Sequence, residues 1–292
     1  AMAGVPKTRM ALRAWLLLLW PGVALAGIPS REIAPNVSMP VISIGTGGLE
    51  SHDAAAIVAN WMSLGYRGVD TAQVYQDQAV VAKAIADAGV KRSEVFITTK
   101  VICCVGVKAN IEWNLKQLGT DYIDLLLIHF PGPGIAPAWA TLEEFHAEGV
   151  LKAIGVSNFN KSLLEELLTT AKVVPAVNQV LHNVLEHDDD TIAFARSNNI
   201  TIEAYSPLGR SGHHGDIPGD ATIRRVAASH NVTAYQVAMR WILQHGHLVT
   251  FQSTSRGHQQ ADADVFGFTL TAEEMSTLDQ VQPAAGMSEL LV

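Results

Sequence analysis

The sequence predicts a single-domain α/β protein built as a (β/α)8 barrel of the TIM class, on three observations. From residue 41 onward, eight short β-rich apolar runs alternate with helical stretches; no long linker or composition break divides them; and the run "IDLLLIHF" (123–130) is apolar almost without alternation. Strand and helix alternating along one chain give a parallel sheet with crossover helices. An unbroken apolar run fits a strand covered on both faces. The chain has 292 residues, 48% hydrophobic and 16% charged, enough for two medium domains or one barrel, since a barrel of about 250 residues is a single unit. Eight units in succession favour the barrel over its rival, an open doubly wound sheet.

The eight predicted strands are Val41 to Gly45, Arg67 to Asp70, Val95 to Lys100, Tyr122 to His129, Ala153 to Ser157, Ala176 to Val180, Thr201 to Tyr205 and Leu248 to Gln252. Helix starts are signalled by Asp53 before "AAAIVANWMSL" and by two capping-box spacings, Thr233-Ala-Tyr-Gln236 and Thr271-Ala-Glu-Glu274, in which side chains satisfy free amides of the first turn. Residues 27–40 carry Pro29, Pro35 and Pro40 and are expected to form a hairpin or arm closing the bottom of the barrel. The stretch "GRSGHHGDIPGD" (209–220) is Gly-rich and polar, which marks a surface loop.

Residues 1–26 differ from the rest. Lys7, Arg9 and Arg13 lead into "AWLLLLWPGVALA", which ends in Ala24-Leu25-Ala26, a small-x-small pattern. This is the plan of a secretory signal peptide, and the apolar run is short for a membrane span of about 20 residues. The expectation is a barrel over 27–292, with no span in that body and a destination in the secretory pathway or an organelle; a cytoplasmic location is the alternative. Net charge is −8, and loss of the three leader cations would take it to −11. Such a surface excludes a binder of phosphate backbones and points to a small-molecule partner and a monomer. Cys103 and Cys104 are adjacent, a poor geometry for an ordinary disulfide and one that staples nothing distant. No spacing of His, Cys and acids predicts a metal site.

Chemistry in such barrels gathers where strands end. Asp70, Lys100 and His129 fall there on three successive strands, and Tyr75 follows in the loop after Asp70. Each has a plain structural reading: a turn cap, a solvated lysine, a core histidine, a packed ring. Taken together they point elsewhere, because a buried Asp and Lys must pair, and their pairing sets a cation beside the phenol. A free tyrosine titrates near 10, and an adjacent ammonium lowers it; Tyr75 is then the proton donor and His129 a hydrogen-bond donor to a carbonyl oxygen. No side chain nearby is a credible nucleophile, so a bound hydride donor would complete the set.

"GVDTAQVY", "ITTK", "YIDLLLIHFP", "IGVSNF", "VNQVLHN" and "AYSPLG" follow one another in the order and spacing of the aldo-keto reductases, which the chain resembles from about residue 40 to 280. The resemblance implies carbonyl reduction with a nicotinamide cofactor lying across the barrel mouth. It makes Tyr75 the general acid, Asp70 and Lys100 its tuners and His129 the residue that orients the substrate. It implies that Thr46, Ser157, Asn158 and Gln179 meet the nicotinamide end, with Ser157, Asn158 and Gln179 on its carboxamide and Tyr205 stacked on its ring. Ser206, Pro207, Leu208 and Gly209 would line the pyrophosphate, and Gln252, Ser253, Arg256, His258 and Asp262 the adenosine end. The chain departs from the family in placing Gln252 and His258 where relatives carry cations for the 2′-phosphate, so NADPH is expected with NADH also open. Gly47, Ile102 and Phe130 stand where relatives often have other, more aromatic pocket residues, and the tail "PAAGMSELLV" (283–292) is short; a wide mouth and broad carbonyl specificity follow. Some barrels of the family are channel-associated subunits, so the second function class is a cofactor-binding regulatory or sensor subunit of a membrane partner.

Overall fold

The computed structural model describes residues 28–209 and 216–281. The leader at 1–26, His213-His214 and the tail at 283–292 lie outside those residues. The described chain opens with an antiparallel hairpin, β1 (Ser30–Ala34) and β2 (Val37–Pro40). The hairpin docks through Val41 N–H on Pro29 O and through the Arg31 guanidinium, which donates to Gly246 O at the entry to the last strand. It therefore sits at the N-terminal ends of the barrel strands, as expected for the arm at 27–40.

Eight parallel strands follow: β3 (Ile42–Gly45), β4 (Gly68–Asp70), β5 (Phe96–Val101), β6 (Ile123–Ile128), β7 (Leu151–Ser157), β8 (Val177–Leu181), β9 (Thr201–Tyr205) and β10 (Leu248–Phe251). They pair in chain order, and β10 closes on β3 through Val249 opposite Ile42 and Phe251 opposite Ile44. β9 matches its predicted run and the other bounds differ by one or two residues, because pairing and not apolarity decides where a strand ends: β5 continues to Val101 opposite Ile128, and β7 starts early at Leu151 opposite Ile123. Around the barrel lie α1 (Ser51–Ser63), α2 (Gln78–Asp87), α3 (Val107–Leu118), α4 (Ile135–Ala147), α5 (Lys161–Leu168), α6 (Asp189–Ser197), α7 (Asp216–Gly219), α8 (Ala221–His230), α9 (Ala234–Gln244), α10 (Arg256–Ala263) and α11 (Ala272–Leu278). Among the described residues no helix is long and apolar enough to cross a membrane.

Both capping boxes form. Thr233 Oγ1 accepts from Gln236 N–H at 3.1 Å while Gln236 Oε1 accepts from Thr233 N–H at 3.0 Å, and Thr271 with Glu274 repeats the exchange at 3.2 and 2.7 Å. Asp53 is not the cap of α1. The helix starts three residues earlier, where Glu50 O takes the amides of Asp53 and Ala54, so Asp53 stands in the first turn with its carboxylate near the positive end of the helix. Cys103 and Cys104 are joined by a cis peptide, with their sulfurs in contact. As expected, the pair staples nothing distant.

The space between barrel and helices is filled by aliphatic side chains and three fully buried tryptophans. A buried indole needs a partner for its N–H, and each has one: Trp61 on Gly68 O at 2.8 Å, Trp139 on Val173 O at 3.1 Å, Trp241 on Asp279 Oδ1 at 2.7 Å. Gly155 in β7 lies hard against the backbone of the next strand, since a Cβ there would stand 2.5 Å from Val177 O and 2.7 Å from Leu127 Cδ2. Backbone cannot yield as a side chain does, and overpacking of this kind destabilises by about 1–3 kcal/mol. Gly155→Ala is expected to lower the urea midpoint correspondingly, and an unchanged midpoint would show that β7 and β8 have slack.

Candidate active site

The C-terminal ends of β4, β5 and β6 bring three polar groups to one opening. Lys100 Nζ donates to Asp70 Oδ1 at 2.6 Å and to Thr71 O at 3.0 Å. The Lys100 and Asp70 side chains are 1% and 5% exposed, so each charge depends on the other to remain ionised out of water. Burial by itself would lower the Lys100 ammonium, but Asp70 and Tyr75 beside it outweigh that and hold it above the ordinary lysine range.

Tyr75 ends a single 3-10 turn, Gln73–Tyr75, which Gln76 terminates in the left-handed region. The turn folds the ring back over the pair: Lys100 Nζ lies 5.2 Å from the ring centroid, and the His129 ring meets it edge-on at 5.7 Å. The phenol is raised from its ordinary value. Burial is the larger cause; Lys100 pulls it down, and Asp70 pushes it up. The ammonium thus acts with the predicted sign but does not win, because the same burial that forces the ion pair also penalises phenolate. His129 follows β6 and is held down to about 3, first by burial and then by the Lys100 charge. Its imidazole is neutral across the physiological range and keeps one N–H to give; Nδ1 is buried with no partner among the described residues.

The ends of β7, β8 and β9 supply amides and hydroxyls. Ser157 Oγ donates to Gln179 O at 2.9 Å. Asn158 adopts φ 63°, a left-handed conformation that Asn tolerates better than most residues. Its Nδ2 donates to His129 O at 2.9 Å and Ser157 Oγ at 3.0 Å, and its Oδ1 accepts from Tyr205 Oη at 2.9 Å. Gln179 joins this group to the ion pair through a 2.8 Å bond from Nε2 to Asp70 Oδ2. An uncharged, hydrogen-bonding set flanked by a tyrosine ring fits a carboxamide on a planar heterocycle, so the residues present suit a nicotinamide. Ser206 to Gly209 form a turn closed by Gly209 N–H on Ser206 O at 3.1 Å, with Ser206 at φ 50° and Gly209 at φ 93°. Thr46 is buried, its N–H on Asp70 O at 3.0 Å.

The predicted adenosine-end residues are more dispersed. Gln252 Nε2 donates to Gly47 O at 2.8 Å, joining the ends of the adjacent strands β10 and β3. Arg256 opens α10 and turns toward α1, its Nε 3.3 Å from Ser63 Oγ. His258 takes its cap from Ser255 Oγ at 3.3 Å. Asp262 lies buried near the end of α10, where burial pushes it up to about 6 against the pull of His258. Among the described residues no group of three or more His, Cys, Asp or Glu is placed to hold a metal ion.

Around the rim the chain exposes apolar side chains. Of the five large exposed hydrophobics among the described residues, Val74, Ile102, Val105 and Phe130 lie on the loops after β4, β5 and β6; Phe130 stacks on His129 at 4.5 Å. Gly47 admits the phenol itself, since a Cβ there would stand 2.9 Å from Tyr75 Cζ and 3.0 Å from its hydroxyl.

Two buried acids escaped the sequence reading, Asp77, which accepts from Thr71 Oγ1 at 2.6 Å, and Glu203. Glu203, in the middle of β9, has no exposure, and its Oε2 accepts from Gln179 Nε2 at 2.8 Å. The signal that drew notice to Asp70 was present here too, a carboxylate inside the apolar strand "TIEAY".

Residues 41–283 match the model of the aldo/keto reductase family. An aldo-keto reductase of Mycolicibacterium smegmatis is 36% identical over 265 residues, 87% of this chain and 91% of that protein. A 9,11-endoperoxide prostaglandin H2 reductase of Trypanosoma cruzi is 36% identical over 252 residues, 84% and 89% of the two chains. Among solved structures, an aldo/keto reductase from Brucella melitensis superimposes with a TM-score of 0.81 at 30% identity, covering 86% of this chain and 98% of that one. A Bombyx mori aldo-keto reductase in complex with NADP gives 0.80 at 28% identity, covering 88% and 94%.

Lys100→Met is expected to lower unfolding free energy by about 3–5 kcal/mol, because it strands a buried carboxylate; Asp70→Asn added to it should restore part of the loss. Denaturant unfolding of the three forms checks this, and a double variant no more stable than Lys100→Met would show that Asp70 carries no burden from its unpaired charge.

Proposed function

The chain belongs to the aldo/keto reductase family, and from that premise we propose that it reduces aldehydes and ketones to alcohols, with NADPH as the preferred hydride donor and NADH as a second one. The observation that carries the reading is the buried Asp70–Lys100 pair beneath Tyr75 and beside a neutral His129.

When bound, the reduced nicotinamide supplies a hydride to the carbonyl carbon. The residues of the chain handle the oxygen. The neutral His129 imidazole donates a hydrogen bond that fixes the carbonyl in the mouth. Tyr75 is protonated at neutral pH, as a free phenol is, and burial raises it further, so it stands in the form an acid needs. As negative charge builds on the oxygen, Tyr75 Oη releases its proton to it, and Lys100 stabilises the phenolate left behind. Asp70 keeps Lys100 charged and aimed. Ser157, Asn158 and Gln179 would hold the carboxamide, Tyr205 the ring, Thr46 the neighbouring wall and Ser206 to Gly209 the pyrophosphate.

The NADP found with the Bombyx mori relative supports the phosphorylated cofactor. Gln252 and His258 argue for a weaker grip on the 2′-phosphate, since a charge-assisted hydrogen bond is worth about 1.5–3 kcal/mol. The exposed apolar rim at Val74, Ile102, Val105 and Phe130 favours aldehydes with an aromatic or aliphatic body over sugars, whose hydroxyls would be desolvated without partners.

Tyr75→Phe should reduce kcat for an aromatic aldehyde by about 10²–10⁴ while leaving cofactor affinity, read by quenching of tryptophan fluorescence, unchanged. Turnover that survived would remove Tyr75 from the proton step, and a wild-type protein that binds cofactor without turnover on a broad aldehyde panel would shift the reading to a regulatory subunit. Gln252→Lys with His258→Arg should tighten NADPH at least about tenfold and leave NADH within a factor of about two. Equal tightening of both would mean that these positions do not meet the 2′-phosphate.

A further inference from the structure

Glu203 sits wholly buried under the mouth with a carboxyl group that none of the proposed proton steps uses. Its Oε2 is 2.8 Å from Gln179 Nε2, and the same nitrogen is 2.8 Å from Asp70 Oδ2. A primary amide has two N–H bonds, and these two carboxyl groups take both. The carbonyl oxygen of Gln179 is left as the atom of that amide with no hydrogen-bond partner among the described residues. Strand register fixes the arrangement, since Glu203 lies directly opposite Gln179 in the β8–β9 pairing.

We propose that Glu203 is a positioning residue that, together with Asp70, locks the Gln179 amide so that the site presents an acceptor, and only an acceptor, to the carboxamide of the bound dinucleotide. The proposal rests on the reading that a nicotinamide dinucleotide occupies this mouth. Asp70 alone could hold one N–H and would leave the amide free to turn its second N–H toward the ligand; with Glu203 in place, neither N–H is available. A flipped amide would set its oxygen against the Asp70 carboxylate, acceptor facing acceptor. Burial first, and Asp70 second, push the Glu203 carboxyl up to about 8, so at neutral pH it holds Gln179 chiefly as an uncharged acid. Two adjacent buried anions are thereby avoided. An uncharged amide at position 203 keeps an acceptor oxygen and should serve equally well.

The test is equilibrium binding and needs no turnover. Affinities are measured at pH 7 for oxidised NADP and for its 3-acetylpyridine analogue, in which a methyl group replaces the carboxamide NH2, so that the donor seen by Gln179 is gone. Wild type is expected to prefer the carboxamide about tenfold, the worth of one donor lost from a buried acceptor. Glu203→Gln should retain that preference, and Glu203→Met, which fills similar volume without an acceptor, should reduce it to within about threefold. If Glu203→Met does not fold, Glu203→Thr, too short to reach Gln179, serves in its place. Undiminished preference in Glu203→Met or Glu203→Thr, or equal affinities in wild type, would overturn the proposal while leaving the dinucleotide reading intact. Failure of wild type to bind either dinucleotide would overturn both.

Discussion

A single ion pair sealed from water, Lys100 on Asp70, is the constraint around which the mouth is organised. Neither charge survives burial without the other, and their attraction is strong only where water is excluded. The pair therefore needs a closed barrel, with β4 and β5 paired in one register and their neighbours shutting out solvent on either side. It also needs its remaining lone pairs and protons satisfied. Thr71 O takes a second hydrogen bond from Lys100, and Gln179 reaches in from the opposite side of the barrel to the second oxygen of Asp70.

With one anion and one cation committed, the other titratable groups in contact with the pair are held neutral. Burial pushes Glu203 up, His129 down and Tyr75 up, three shifts in the direction that removes charge. The result is an opening that contains hydrogen-bond donors and acceptors but little net field, suited to a neutral carbonyl and a planar, weakly polar ring. The phenol becomes anionic only as its proton leaves, at the moment when Lys100 is the nearest source of compensation.

The two ends of the opening are built differently. Toward the loops after β4, β5 and β6 the surface is apolar, and Phe130 extends the His129 ring outward. Toward β10 and α10 it is polar and sparsely cationic, with Gln252 held by Gly47 O at the end of the adjacent strand and Arg256 turned to Ser63. Gly47 links the ends, because its missing side chain leaves the room that Tyr75 occupies. The width inferred from the absence of a bulky residue there is thus taken up in part by the phenol itself.

The alternation of apolar runs and helices determined the barrel without help from coordinates, because period and count are properties of the chain alone. Asp70, Tyr75, Lys100 and His129 stood out for a related reason: polar residues at the ends of apolar strands are costly and need a purpose. The capping boxes at Thr233 and Thr271 were legible because both partners lie within one turn. Only the tertiary structure decided that burial outweighs Lys100 at Tyr75 and that Glu50, not Asp53, starts α1. The clearest case is Glu203, whose strand announced a buried acid but whose meaning came from the register that sets it beside Gln179, with Asp70 at the far side of the same amide. Sequence spacing carries no distance between β4, β8 and β9; closing the barrel does.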